Sequence, residues 1–211
     1  MSRTYNLDTK QAAAADNTIS RIDETGKYTG TLTRAEAVTS KQGTDGVEFS
    51  FRADDGSTAD FLTLWTHNSD GDELPSLKAL NAIMTVLRVK TITPTPGHVE
   101  RWDSDSRQRV KAAATIFPEL TGKRVGLLLQ REEYEKRDGS IGSKMNIFGV
   151  FDADSELTAS EILARKTQPE TLSRMVAALR DKPLKHKIGN VSAPAGSPPQ
   201  SDAFGDDDIP F

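Results

Sequence analysis

Residues 47–66 read VEFSFRADDGSTADFLTLWT, two runs of aromatic and β-branched residues hinged on Asp54-Asp55-Gly56. In an extended chain successive side chains alternate between faces. Val47, Phe49 and Phe51 therefore share one side, and Glu48, Ser50 and Arg52 the other. Asp-Asp-Gly is turn chemistry, and a second strand resumes over Ala59–Thr66. There Leu62 and Leu64 share one face, while Phe61, Thr63 and Trp65 share the opposite one. A hairpin with one apolar face is the result.

The pattern extends in both directions. Upstream, Lys27–Val38 is a Thr-rich strand in which Gly30 marks a bend or bulge, and residues 41–46 turn the chain. Downstream the period changes: Pro75 suits a first helical turn, and Leu77, Leu80, Met84 and Leu87 predict an amphipathic helix over 75–89. Residues 91–122, with Pro94, Pro96 and Gly97, read as irregular. Arg124–Glu135 is a strand with Val125, Leu127 and Leu129 on one face. A turn over 136–142 leads to a last strand, Ser143–Phe151, and two short helices follow near 158–166 and 169–181. Strand, strand, strand, helix, strand, strand is the order of a five-stranded oligonucleotide/oligosaccharide-binding (OB) barrel. Other five-stranded barrels and α+β sandwiches carry similar patterning. The expected class is mainly β, with the core at 27–152, a flexible arm at 1–26 and a helical extension at 153–188.

The chain has 211 residues, 36% hydrophobic and 27% charged, with a mean hydropathy of −0.52. No apolar run approaches the roughly 20 residues of a membrane span, and the first residues lack the apolar stretch of a secretory signal. There is no cysteine, so disulfides, zinc knuckles and thiol nucleophiles are excluded. A cytoplasmic protein with no membrane partner is expected. The net charge of −4 is unevenly placed. Residues 191–211 carry no Lys or Arg but hold Asp202, Asp206, Asp207 and Asp208, so residues 1–190 are balanced. A balanced body lacks the bulk basic excess of many nucleic-acid binders.

Residues 189–201, GNVSAPAGSPPQS, are too poor in large apolar groups to offset ordering entropy and read as a disordered linker. Beyond it, 202–211 ends in Asp206-Asp207-Asp208-Ile209-Pro210-Phe211. This is an acidic run closed by an apolar hook with a carboxylate on its last residue. Phe211 can enter a hydrophobic pocket while a partner Arg or Lys pairs with that carboxylate. A solubilising tail would explain the aspartates but not Ile-Pro-Phe.

This ending, after a Gly/Pro/Ser/Gln linker, resembles the interaction tip of bacterial single-stranded DNA-binding proteins. The resemblance implies an OB domain that coats single-stranded DNA and a tip that recruits replication, recombination and repair enzymes. The long arm before the first strand, the 91–122 insertion and the added helices depart from the bacterial pattern. They look more like a bacteriophage-encoded member carrying a host-type tip, acting in the host cytoplasm. These departures leave the bacterial homotetramer as no firm expectation, and the oligomeric state is left open.

An OB domain holds single strands by stacking bases on aromatics and tracking phosphates with cations. Phe61 and Trp65, at i and i+4 on one strand face, are the candidate platform; the alternative is packing beneath the arm or the 91–122 segment. Lys41, Arg52, Tyr134, Lys136, Arg137 and Lys144 are the candidate groups around the groove. Trp102 with Arg101, Arg107, Arg109 and Lys111 forms a second basic–aromatic cluster, a candidate flap. No catalytic constellation is evident. His67 and His98 lack partners at metal-ligand spacing, and Asp54, Asp55 and Asp60, or Asp103 and Asp105, are the only residues resembling a Mg²⁺ nuclease site. No enzyme, cofactor or metal is expected. The competing reading is a phage adaptor that uses the tip to divert host enzymes without coating DNA.

Overall fold

A computed structural model describes residues 6–9, 20–103 and 108–184. The linker and the acidic tip lie outside the described residues, so the expectations for Asp206, Asp207, Asp208, Ile209, Pro210 and Phe211 stand on the sequence.

The spine of the fold is β1 (Gly26–Thr39), long enough to carry different partners along its length. One edge pairs antiparallel with β2 (Asp45–Ala53), which pairs in turn with β3 (Thr58–His67). On the other edge the first half of β1 pairs with β6 (Arg124–Glu135), and Glu36, farther along, pairs with Ile116 of β5 (Gln108–Ile116). β5 forms a hairpin with β4 (Thr95–Asp103), and β6 one with β7 (Ile141–Phe151). The result is mainly β: an open, antiparallel seven-stranded sheet with few helices.

The strand count corrects the expected five. Residues 91–122 are not irregular, because they supply the β4–β5 hairpin. Pro96 and Gly97 argue against a strand only in a sheet interior. β4 ends the strand order, where a proline is tolerated. Ala112-Ala113-Ala114 of β5 has low strand propensity, and its pairing with β4 overrides it.

Helix α1 (Leu77–Val86) packs against the sheet's inner face through buried Leu80, Ile83 and Val86. The expected residues Leu77, Met84 and Leu87 flank this stripe and are partly buried. Ile83 joins a core containing Leu32, Phe49, Phe51, Leu62, Val125, Leu127 and Leu129; burying such a side chain fully contributes about 1.5–3 kcal/mol. β6 is apolar on both faces. Leu127 and Leu129 face this core, while Leu128 and Phe151 form a second cluster with Leu172 of α3 (Thr171–Ala178). That explains the unbroken Val125–Leu129 run, in which Gly126 leaves room for the Phe151 ring.

Helix α2 (Ala159–Leu163) opens with a Thr158–Glu161 capping box. The other carboxylate oxygen of Glu161 accepts from the backbone N–H groups of Glu170 and Thr171, both at 2.7 Å, tying α2 to the start of α3. These bonds hold the Glu161 carboxyl well below the usual carboxylate range, that from the Thr158 backbone N–H first. The chain then lies along β6, where the Lys182 N–H donates to Arg131 O at 2.8 Å and the Glu133 N–H to Lys182 O at 3.0 Å. At the other end, Ile22 N–H donates to Thr58 O at 2.8 Å, so residues 20–22 dress the edge of β3. Among the described residues, no helix is long and apolar enough to cross a membrane.

Candidate nucleic-acid interface

Two strands slip phase beside the same residue. In β1, Leu32 and Ala35 are both fully buried although three residues apart. A strict period of two cannot put both inside, so one residue must be extra. The register shows it: Leu32 pairs with Phe51 and Arg34 with Ser50, leaving Thr33 over. In β3, Ala59 and Leu62 pose the same demand, and Asp60 with Phe61 stands opposite Ser50 alone. Two bulges thus flank Ser50. Such bulges bend strands and re-aim side chains.

The consequence for Phe61 is direct. Its φ is +60°, left-handed backbone that disfavours a bulky L-residue. Asp60 and Phe61 both point outward, and the ring is 68% exposed. The bulge, not the simple pleat of the strand, turns this ring out. Arg34, re-aimed by the other bulge, lies over it at 5.9 Å from the ring centroid. Its guanidinium donates to Ser50 Oγ at 3.2 Å, pairs with Glu48 at 2.6 Å and with Glu36 at 3.1 Å.

These residues floor an open groove of about 930 Å³ whose far wall is β4, from His98 to Arg101. Arg52 and Phe61 line it. Its charges largely cancel. Glu36, 3% exposed, faces both Arg34 and Arg101, and Glu48 takes a second face of Arg34. Arg52 is the groove cation without an ion-pair partner among the described residues, and it is exposed.

Of the eight expected contact residues, the structure brings Arg52 and Phe61 together in this groove. Trp65 is exposed, at 36%, and sits across from Gly46, whose missing side chain leaves room for the indole. The 91–122 hairpin buries neither aromatic, and most of the arm lies outside the described residues. Lys41 is exposed in the β1–β2 turn. Tyr134, Lys136 and Arg137 are exposed at the β6–β7 turn, past the N-terminal end of β1 and away from Arg34 along the ladder. Lys144 pairs with Glu132 at 3.2 Å. Glu132 also receives Lys182 and Asn146, and these bonds, Lys182 first, lower its carboxyl to about 2. The expected convergence on one groove therefore holds for two of the eight, and the hairpin-tip residues form a separate patch.

Arg34, Glu36 and Glu48 were not among the expected residues, and Arg101 was expected only in the candidate flap cluster. The signal of Arg34, Glu36 and Glu48 was present as alternating charges on β1 and β2, but the bulges that gather them depend on tertiary register. Of the aspartates considered as cation holders, Asp54 and Asp55 are engaged elsewhere, Asp60 lines the groove, and Asp105 lies outside the described residues. Asp54 accepts a bidentate pair from Arg124 at 2.7 and 2.9 Å and a bond from Thr29 at 2.7 Å. Its carboxyl is lowered, by Arg124 first. Asp55 accepts from the Ser57 N–H and hydroxyl and shapes the turn. No protein-family model matches this chain, and no curated protein matches it.

Proposed function

We propose that this protein binds and protects single-stranded DNA without sequence specificity, and recruits replication, recombination and repair proteins through its acidic C-terminal tip. The observation that carries the reading is the Phe61 ring, held open to solvent in a groove beside Arg52, which has no ion-pair partner among the described residues. A ring turned outward at the expense of backbone strain has no role in the core. Stacked on a base, such a ring is worth about 1–3 kcal/mol and accepts any base, because every base has a π-face.

The fold is read as an OB barrel carrying an inserted hairpin. Without β4 and β5, the pairing order β3-β2-β1-β6-β7 is that of an OB sheet. β3 also approaches β7 across the helix-bearing core, without a ladder among the described residues. In this reading Trp65 and Lys41 continue the path from one end of the groove. Tyr134, Lys136, Arg137 and Lys144 receive the strand where it leaves. The protein works by binding rather than catalysis, needs no cofactor, and acts in the cytoplasm, that of the host if it is phage-encoded. The tip, tethered beyond Leu184, presents Phe211 to its partners.

One observation favours the second reading, a tip-bearing adaptor that does not coat DNA: the Arg34, Arg101, Glu36 and Glu48 charges cancel inside the groove. Competition between oligo-dT and a duplex of equal length separates the two. A coating protein prefers the single strand and weakens with salt, whereas equal or absent binding to both overturns the coating function.

A further inference from the structure

The β4–β5 hairpin is joined to the body at its base. Among the described residues, its backbone ties to the sheet are the Glu36–Ile116 pair and, just beyond the strand, the Phe117 N–H donating to Ala35 O at 2.9 Å. The nine residue pairs from Thr95–Ile116 to Asp103–Gln108 are internal to the hairpin. A two-stranded ribbon is marginally stable by itself, so something must hold this one against the groove.

Arg101 is positioned to do so. It stands near the far end of β4 from that base, and its guanidinium reaches across to Glu36 on β1. Glu36 is buried and shared with Arg34, while half of the Arg101 side chain is exposed. Leaving Glu36 underpaired is unfavourable in so dry a place. The contact therefore closes the wall whenever nothing else neutralises the pair. Val99, buried two residues earlier, lies on the closed side of the same strand.

We propose that Arg101 and Glu36 are positioning residues that latch the β4–β5 hairpin as the movable wall of the groove. A single strand enters when the latch parts and is retained when it reforms. The inference rests on the DNA-binding reading for its ligand, but the latch is a property of the free protein.

Two measurements on the full chain test it. Arg101→Ala is the variant, since a half-exposed side chain can be removed without opening the core. In the free protein, amide hydrogen exchange should rise throughout 95–116 and stay unchanged in the β1–β2 ladder. With labelled oligo-dT, stopped-flow traces should show association and dissociation both faster, dissociation by roughly tenfold, less than for a fully buried pair because half of the Arg101 side chain is exposed. Glu36→Gln should reproduce the exchange pattern, and the double variant should add little. Unchanged exchange in 95–116 overturns the latch. So does slower association with a shallower salt dependence, which would mark Arg101 as a direct phosphate contact. If the wild-type protein binds no oligo-dT, the function proposed above fails, and the exchange comparison alone decides the latch.

Discussion

Replacing Phe61 by glycine and, separately, by alanine tests backbone strain and binding in one experiment. In an ordinary strand glycine is less stable than alanine by roughly 0.5–1 kcal/mol, because it loses more backbone freedom on folding. At position 61 φ is +60°, where a residue with a Cβ is disfavoured by about 1–2 kcal/mol and glycine is not. The difference reverses the usual order, leaving Phe61→Gly more stable than Phe61→Ala by about 0.5–1 kcal/mol. The ring itself contributes little to the fold, since it is mostly exposed and its main recorded partner is Arg34, a contact worth about 0.5–1 kcal/mol at such a site. With a urea dependence of about 2 kcal/mol/M, the two midpoints should differ by about 0.4 M. Both variants lose the platform alike, so oligo-dT affinity should fall by roughly tenfold or more in each. Alanine outperforming glycine in urea would refute the bulge argument. Wild-type affinity in both variants would refute the stacking role.

Arg52→Ala removes an exposed cation with no ion-pair partner among the described residues, so stability should hold. The slope of log affinity against log salt should flatten by about 0.7, one phosphate on a single strand, in fluorescence titrations at several salt concentrations. Gly30→Ala places a Cβ 2.1 Å from the Arg52 carbonyl oxygen, a backbone atom that no rotamer change can move. Urea unfolding should show a loss of about 3 kcal/mol or a failure to fold, and wild-type stability would contradict the register at Ala53. Glu132 and Glu161 are both lowered from an ordinary value of 4.5. A depressed folded-state pKa stabilises above the unfolded value, and that stability is lost as pH falls through the folded one. Thermal melts should therefore decline from about pH 4.5 toward pH 2, and Glu161→Gln should destabilise at pH 7 more than at pH 3.

The strands around Val47–Thr66 were legible because the apolar residues of β2 alternate without a break and those of β3 do so from Leu62 onward. The same holds for β6, where Val125, Leu127 and Leu129 kept their phase. Helix α1 was legible from its change of period, although its buried stripe centres on Ile83. The β4–β5 hairpin was not, because Pro96, Gly97 and the three alanines lack strand propensity and pair only through each other. The outward direction of Phe61 was inferred from the pleat, yet it arises from a phase slip. Its sequence signature is Ala59 and Leu62, both apolar at odd spacing, as are Leu32 and Ala35. Neither pair distinguishes a bulge from an ordinary exposed alanine until Ser50 is seen opposite both. The ionic cluster of Arg34, Glu36, Glu48 and Arg101 joins residues up to 65 positions apart, which no local pattern records.

The central claim is that the body coats single-stranded DNA while the tip serves partners. Its most direct test is a titration of fluorescein-labelled oligo-dT with the full-length protein and with a 1–201 truncation, at two salt concentrations. The account predicts that both bind and that both weaken as salt rises. Absence of binding by either protein at the lower salt would contradict it and leave the adaptor as the reading to pursue.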